Sequence, residues 1–285
     1  MRITRATSSG LTQWNVRRDS AQFTVVEDRF DASIGAALAA HRRASVTPDS
    51  AAHWRQRHPF EPNSVLGIGL NYPQHAQDLS AVPTDLPTVF FKGRHTLIGP
   101  GDSIVLPPDS ARVTAEAELG LVVGERMRDV SPDRAFDHIA GAVCVLDQTA
   151  EDILRKDARL LTVAKNFATF FAFGPELVTL DELMASGSTL EEIRIGTYRN
   201  GDCVAEAEVG AMRFSPAALL TFLSRLMPLE PGDIISTGTP GAVALSAGDV
   251  VECRISGLQP LVVAVEHIPT SHGTAATASH GSGER

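Results

Sequence analysis

The segment that most constrains this chain is Ala115–Val123, with the sequence AEAELGLVV. Its last five residues carry no polar side chain, which is typical of a strand that is covered on both faces. Side chains alternate between the two faces of a strand, so Glu116 and Glu118 point the same way. Two carboxylates side by side repel each other unless a cation lies between them. The segment therefore predicts a buried strand that carries a cation-binding pair of glutamates, although a pair alone could also lie on a solvated edge.

A third carboxylate follows a second apolar run. Gly141–Leu146 is typical of another buried strand, and Asp147 comes directly after it. Three carboxylates with no cysteine or histidine beside them suit Mg²⁺, Mn²⁺ or Ca²⁺ better than zinc or copper, because hard oxygen ligands match hard ions. We therefore predict that Glu116, Glu118 and Asp147 bind a divalent metal ion.

Length and charge narrow the class of protein. With 285 residues, of which 43% are hydrophobic, the chain can bury a substantial core. Its 25 basic and 34 acidic residues give a net charge of −9, which disfavours nucleic acids and acidic membranes as partners. No apolar stretch is long enough to cross a bilayer, and the first residues lead into polar sequence instead of a secretory signal. A cytoplasmic protein is expected.

The spacing of apolar runs divides the chain into three parts. Residues 1–60 lack the regularity of the rest and are expected to form a small N-terminal subdomain and linker. Over residues 61–270, short apolar runs alternate with Gly, Pro and Asp, which is typical of a mainly β catalytic domain. Residues 271–285 are rich in Gly, Ser, Ala and His and are expected to be a disordered tail.

Three local signals predict where elements begin and end. Asn200-Gly201 lies between two strand-like segments and predicts a two-residue hairpin, because both residues tolerate a positive φ. Ser131 and Ser215 each precede a proline, and a serine N-cap followed by proline predicts the start of a helix at both places.

A histidine and a carboxylate, His75 and Asp78, lie three residues apart, which places them on one face of a helical turn. There Asp78 could fix the tautomer of His75 while the imidazole takes a proton from water. An incidental pair at the start of a surface helix is the alternative. Gly67 and Gly69 precede the pair and indicate a flexible or tightly turned entry to a mobile lid.

Two lysines lie in apolar surroundings, Lys92 and Lys165. Each ammonium group either extends to solvent or faces the carboxylates, where it could stabilise an oxyanion. The loop of Thr237, Gly238 and Thr239 follows a strand and combines hydroxyl groups with backbone N–H groups that glycine leaves accessible. It is a candidate cradle for a substrate carboxylate, or else an ordinary turn.

Taken in order, these motifs resemble the fumarylacetoacetate hydrolase family over about residues 64 to 265. The resemblance implies an α+β, mainly β fold, namely a mixed β-sandwich roll of the C-terminal-domain type with a small N-terminal region, and a homodimer. The matching segments are Gly69–Tyr72 with His75, Phe91–Lys92, Ile98–Asp102, Glu116–Leu119, Asp147 with Asp152, Lys165–Phe167, Gly174–Pro175, Leu229–Asp233 and Thr237–Pro240.

The resemblance also implies roles for single residues. It implies Mg²⁺ or Mn²⁺ at the three carboxylates, a general base at His75 oriented by Asp78, and an oxyanion-stabilising lysine at Lys165. The substrates of the family are small 2-oxo or 1,3-dicarbonyl acids. Such an acid can chelate the metal through its carboxylate and ketone oxygens, and the metal then stabilises the enolate.

The chain departs from the family pattern around the expected site. Glu151 replaces a common arginine, Leu154 a common glutamine, and Ala168 a common aspartate. Gln148 could take over the role of the missing glutamine and is therefore predicted to bind substrate, together with Lys92 and the loop at 237–239. Asp78 is one methylene shorter than the glutamate that is common at its position.

The first functional hypothesis is a divalent-metal-dependent hydrolase that cleaves a C–C bond in an acylpyruvate-like or fumarylacetoacetate-like acid through a metal-bound enolate. An isomerase or decarboxylase of the hydroxymuconate or oxaloacetate type would use the same enolate and is the alternative. The departures also permit a catalytically silent, metal-binding homologue.

Overall fold

The computed structural model describes residues 1–8, 11–18, 21–27, 35, 55–82, 84–185 and 187–267. The expected tail at 271–285 and most of the expected linker before residue 55 lie outside these ranges, so both stay predictions. Within the described ranges, no helix has the length and apolar character needed to cross a membrane.

Short strands and shorter helices alternate along the chain, as the frequent turn residues between apolar runs predict. The helices are α1 (Pro73–Asp78), α2 (Glu151–Lys156), α3 (Leu161–Lys165), α4 (Leu180–Leu183) and α5 (Pro216–Leu226). The strands are β1 (Arg2–Ser8), β2 (Leu11–Arg18), β3 (Ala21–Glu27), β4 (Arg55–Arg57), β5 (Val65–Gly69), β6 (Thr88–Lys92), β7 (Leu97–Ile98), β8 (Ser103–Leu106), β9 (Val113–Val123), β10 (Ile139–Ala150), β11 (Phe171–Val178), β12 (Arg194–Arg199), β13 (Asp202–Glu208), β14 (Ile234–Ser236), β15 (Ala242–Ala244), β16 (Val250–Ile255) and β17 (Leu261–His267).

The strands form two mixed sheets, as predicted for an α+β, mainly β fold. The main path of the larger sheet has the order β3-β2-β1-β11-β10-β9-β14-β5-β6, with β4, β7 and β15 paired beside it. The smaller sheet has the order β13-β12-β16-β17-β8. Most neighbours are antiparallel, but β14 pairs with β5, β11 with β7 and β17 with β8 in parallel.

Strand β9 is the centre of the core, because every one of its residues is buried. On one face, Leu119 and Leu121 share an apolar cluster with Ile195 and Val251 of the smaller sheet. On the other face, Val122 belongs to a second cluster that contains residues of β1, β2 and β11. The prediction of a strand covered on both faces is confirmed. Its two glutamates are consequently buried away from solvent.

The N-terminal strands continue the larger sheet, since β1 pairs with both β11 and β2. Arg5 of β1 fixes the segment after β4: its Nε donates to the carbonyl oxygen of His58 at 2.9 Å, and its Nη2 lies 3.0 Å from a carboxylate oxygen of Glu61. The His58 ring stacks on Phe173, with ring centroids 4.8 Å apart. The division of the chain at residue 60 stays a prediction.

The local signals are confirmed with one difference. β12 and β13 form the predicted hairpin, and both Asn200 and Gly201 have positive φ. The Oγ of Ser215 accepts a hydrogen bond from the backbone N–H of Ala218 and begins α5. After Ser131, however, no side-chain cap bond forms, and the chain continues as a 3₁₀ helix, Pro132–His138, in place of an α-helix.

The buried His58 should make folding stability depend on pH. Burial lowers its pKa to about 4, with Arg5 and Arg57 adding to the effect and Glu61 opposing it. The unfolded chain takes up this proton near pH 6.5, so stability that is fully present above pH 6.5 is lost as the pH falls toward 4. Between pH 7.5 and 5.5, the expected loss in unfolding free energy from this group is about 1 kcal/mol.

Urea unfolding of the wild type and of His58→Gln at the two pH values measures this loss. Other groups that titrate in this range contribute equally to both proteins, so the variant should lose less stability than the wild type. The same pH dependence in both proteins would contradict the assignment to His58.

Candidate active site

Three carboxylates meet where β9 and β10 run side by side. Asp147 is the register partner of Glu116 in the antiparallel ladder, and Glu118 lies two residues further along β9. All three are buried, and one carboxylate oxygen from each lies within 4.8 Å of the others. The predicted juxtaposition of these side chains is therefore present.

Glu118 is held by the strand end next to it. Its Oε2 accepts hydrogen bonds from the Ser236 hydroxyl at 2.5 Å and from the Gly238 backbone N–H at 2.9 Å. Its Oε1 receives no hydrogen bond from the described residues. Burial raises the pKa of Glu118 to about 8, with the nearby Asp147 adding to the rise. The carboxyl group consequently becomes a good anionic ligand only when a cation offsets its burial.

Glu116 is stabilised in its ionised form. Its Oε1 accepts a hydrogen bond from the Thr149 hydroxyl at 2.8 Å, and its Oε2 accepts one from the Lys165 ammonium at 2.9 Å. Burial alone would raise the pKa of Glu116, but Lys165, with His75 and these hydrogen bonds, lowers it. This carboxylate is therefore negative at neutral pH.

Both buried lysines face the carboxylates and do not extend to solvent. The ammonium of Lys165 lies 2.5 Å from Asp147 Oδ2, while that of Lys92 lies 2.5 Å from Asp147 Oδ1. Lys92 also donates to the carbonyl oxygens of Gln148 and Phe170 at 2.8 and 2.7 Å. Burial lowers the pKa of Lys92 to about 8 against the pull of Asp147, whereas the carboxylates raise the pKa of Lys165 despite its burial.

The donor set fits a hard divalent cation. The three carboxylates carry three negative charges when ionised, and the two ammonium groups offset only two of them. A buried site that keeps a net negative charge is costly unless another cation joins it. Oxygen ligands alone, with no sulfur or imidazole in the cluster, match Mg²⁺, Mn²⁺ or Ca²⁺. Glu118 Oε1 is the oxygen best placed to serve as a ligand, since no described residue donates to it.

Phe90 forms the apolar wall beside Lys165, whose ammonium lies 4.7 Å from the ring centroid. The ring occupies the space above Gly67, where an added Cβ would lie 2.2 Å from the ring carbon Cζ. Gly67 is thus needed for close approach of the ring. The suggestion that Gly67 supplies flexibility for a lid is not required by the geometry.

His75 and Asp78 lie on α1, but the structure does not pair them. His75 is buried and close enough to Glu116 to lower the pKa of that carboxyl group. Asp78 is exposed and accepts a hydrogen bond from Gln74 at 3.0 Å. Among the described residues no hydrogen bond or ion pair joins Asp78 to His75. The base role of His75 and the orienting role of Asp78 stay predictions.

The polar groups of the loop at 237–239 form hydrogen bonds within the protein. The Thr237 hydroxyl donates to the carbonyl oxygen of Leu119, and the Thr239 hydroxyl donates to that of Gly241. The Gly238 N–H donates to Glu118, as described above. In this arrangement the loop orients a metal-ligand candidate, and its predicted contact with a substrate carboxylate stays a prediction.

Gln148 follows Asp147 on β10 and therefore projects from the opposite face of the strand. Its side chain is fully buried, and among the described residues neither its amide oxygen nor its amide nitrogen finds a hydrogen-bond partner. The structure does not bring this amide to the carboxylates, so its role in substrate binding stays a prediction.

Two of the departures from the family pattern lie on α2. The carboxylate of Glu151 forms ion pairs with Arg112 and Arg155, with Arg155 Nη2 at 2.6 Å from Oε1. Leu154 is half-buried against the main apolar cluster. Neither side chain supplies a polar group to the carboxylate site.

The sequence assigned no individual role to three residues near the site. Thr149 and Ser236 each donate a hydroxyl hydrogen bond to a glutamate. Asn71 donates to the carbonyl oxygens of Thr237 and Phe214 and accepts from the Phe214 N–H, which joins α1 to the 237–239 loop. Strand alternation from Asp147 could have identified Thr149, because the two share a face.

Comparisons with known proteins agree with this architecture. A family model described as "Fumarylacetoacetate (FAA) hydrolase C-terminal" matches residues 64–266. An uncharacterized protein from Pyrococcus horikoshii is 38% identical over 201 residues, which cover 69% of this chain and 85% of that protein. A mitochondrial oxaloacetate tautomerase from Xenopus laevis is 34% identical over 206 residues, which cover 69% of this chain and 63% of that protein.

Solved structures share the fold. The crystal structure of 5-carboxymethyl-2-hydroxymuconate delta-isomerase from Mycobacterium smegmatis has a TM-score of 0.75 and 26% sequence identity with this chain. The match covers 94% of this chain and 99% of the isomerase. The predicted fold type is confirmed.

A methyl group at Gly67 should disturb the wall of the site. In Gly67→Ala the new Cβ would displace the buried Phe90 ring, and overpacking of this kind costs about 1–3 kcal/mol of unfolding free energy. Gly69→Ala is the matched control, because the nearest atom to its Cβ would be the Thr88 methyl carbon at 3.4 Å, an ordinary contact distance. Urea unfolding of both variants should show the larger loss for Gly67→Ala, and equal losses would refute the role of close approach.

Proposed function

The chain belongs to the fumarylacetoacetate hydrolase family, and we propose that it is a divalent-metal-dependent enzyme acting on small 2-oxo or 1,3-dicarbonyl acids. The observation that carries the proposal is the buried cluster of Glu116, Glu118 and Asp147, with ligand oxygens within 4.8 Å of one another. Mg²⁺ or Mn²⁺ is the proposed cofactor, and Ca²⁺ has the same ligand preference.

The charge of the site suits an anionic substrate. A divalent cation bound to the three carboxylates would polarise the ketone and carboxylate oxygens of a 2-oxo acid. With that cation the five charged side chains would sum to a net charge of plus one. An oxo acid brings negative charge, so its binding would bring the buried site closer to neutrality.

The residues around the carboxylates have complementary roles in this proposal. His75 takes a proton from the carbon next to the ketone, since it is buried on the Glu116 side of α1. Lys165 stabilises the oxygen that becomes negative in that step. Lys92 fixes the position of Asp147, and Asp78 orients His75 once α1 shifts toward substrate. Gln148 and the loop at 237–239 are proposed to contact the substrate.

We propose keto–enol isomerisation as the reaction. Isomerisation needs only a base and a stabilised oxyanion. Hydrolysis also needs an oriented water, and Leu154, which stands where the family commonly has a glutamine, supplies no polar group for that task. An oxaloacetate tautomerase is also among the relatives. C–C hydrolysis is the second candidate, favoured by the match of the hydrolase family model to residues 64–266.

The metal proposal predicts that Glu118→Gln loses metal affinity. Even changes outside the ligand shell weaken metal binding about 10- to 100-fold, so the loss of a ligand should weaken Mn²⁺ binding by at least about 100-fold. Isothermal titration calorimetry measures this. Glu125→Gln removes an exposed glutamate near the far end of the same strand and is the control. Equal affinities in both variants would end the metal assignment.

The base assignment predicts that His75→Asn lowers kcat about 10²- to 10⁴-fold for keto–enol conversion, while Mn²⁺ affinity is retained. Oxaloacetate and a panel of acylpyruvates serve as substrates, and the loss of enol absorbance is followed with and without chelator. Pyruvate release separates C–C cleavage or decarboxylation from isomerisation. Unchanged kcat would remove His75 from the mechanism, and no metal-dependent turnover on any substrate would favour the silent homologue.

We also propose a homodimer, the state that the resemblance implies. Phe91 and Val163 are each 52% exposed, and both neighbour Asn166, which bonds to the carbonyl oxygen of each. This apolar patch lies where α3, which carries Val163, meets the edge strand β6, which carries Phe91, and a second copy would cover it. Light scattering should give twice the 30.4 kDa chain mass, and Val163→Asp should shift the mass toward the monomer. A monomeric wild type would contradict the proposal.

A further inference from the structure

A second cavity lies behind α1, on the side away from the carboxylates. Its volume is about 310 Å³, and Pro73, Ala76 and Gln77 of α1 line it. His75 does not line it and instead influences Glu116. Helical spacing explains the difference, because residues 73, 76 and 77 share one face of a helix and residue 75 lies on the opposite face. Helix α1 is therefore a wall with the candidate active site on one side and this cavity on the other.

The lining of the cavity is apolar with one cation at its rim. Leu70, Val82, Leu86 and Phe214 contribute apolar side chains. The guanidinium of Arg213 lies over the Phe214 ring, 5.2 Å from its centroid. Among the residues that the structure describes, no carboxylate lies within ion-pair distance of Arg213.

The outer wall of the cavity exposes large apolar side chains to water. Val82 is 82% exposed and Leu86 is 62% exposed. Both lie on the segment that joins α1 to β6. A ligand in the cavity would cover the inner sides of these side chains, in keeping with the apolar walls of small-molecule sites.

The backbone on both sides of α1 is strained. Leu70 and Ser80 have φ values of 59° and 53°, in the left-handed region that non-glycine residues rarely adopt. Strain of this kind persists where the surrounding structure holds it and often accompanies a segment with more than one arrangement. A ligand in the cavity can therefore influence the position of α1 and of His75, which α1 carries.

We propose that this cavity is a second ligand site, which binds a small carboxylic acid with an aliphatic or aromatic tail and thereby fixes the position of α1. The tail would pack against Leu70, Val82 and Phe214, and the carboxylate would pair with Arg213, whose fork of N–H donors matches a carboxylate. The binding claim is independent of the proposed reaction. The effect on His75 rests on the proposed function.

The binding test uses hexanoate as the probe and the full chain in excess chelator, so that no metal ion can bind the carboxylate. Ligand-observed NMR titration should show saturable binding, about tenfold weaker for 1-hexanol, which lacks the charge. Arg213→Gln should weaken hexanoate binding about tenfold, and Ala76→Phe, which fills the cavity, should abolish it. Arg128→Gln, a change at an exposed arginine outside the cavity lining, should leave it unchanged.

A second variant protects the test against misfolding of Ala76→Phe. Val82→Asp changes a largely exposed residue and places a negative charge on the cavity wall, so it should fold normally and bind hexanoate at least tenfold more weakly. Absence of saturable binding to the wild type would overturn the proposal. So would binding that none of the cavity variants weakens.

A third arm measures turnover with metal present. Hexanoate should change kcat or KM of the wild type and leave those of Val82→Asp unaltered at the same concentration. An equal effect on both proteins would place the ligand at the metal and overturn the coupling to α1. If no substrate is turned over, the proposed function fails while the chelator experiment still decides whether the cavity binds the probe.

Discussion

The buried ion pairs of Asp147 are the interaction on which the rest of the site depends. This fully buried carboxylate lies between the ammonium groups of Lys92 and Lys165, each 2.5 Å from one of its oxygens. Without them, a carboxylate with no exposed surface would destabilise the core. The residues and strands around Asp147 are arranged to accommodate these ion pairs. Gly67 admits the Phe90 ring that flanks Lys165, and β9 and β10 align so that Glu116 shares the same ammonium.

Sequence reasoning succeeded where one local rule was enough. Strand alternation placed Glu116 and Glu118 on one face, and the polar-free run after them correctly indicated a strand buried on both sides. It was weaker where the answer depends on distant partners. The spacing of His75 and Asp78 allows a pair, but only the packing of α1 decides that one is buried and the other meets solvent. The role of Gly67 likewise depends on Phe90, which is distant in sequence.

Two of the residues that differ from the family pattern, Glu151 and Leu154, have structural roles. Glu151 is neutralised by two arginines at the end of the β9–β10 ladder, and Leu154 joins the apolar cluster. At these two positions the side chain contributes to packing or to ion pairs, whereas the carboxylates and lysines of the family pattern are retained. The buried carboxylates and lysines are therefore all present, while the proposed means of positioning a water is reduced. That contrast favours isomerisation over hydrolysis.

The ion pair between Lys92 and Asp147 constrains the curvature of the larger sheet. Its strand, β6, is separated from β10 by β9, β14 and β5 in the order of the sheet. In a flat sheet this separation would be about 19 Å at the usual strand spacing, yet the Lys92 ammonium touches Asp147. The larger sheet must therefore be strongly curved, so that its edge strand β6 faces the central strand β10. The space around the three carboxylates is then set by the curvature of the backbone, so a change in strand twist far from them would resize it.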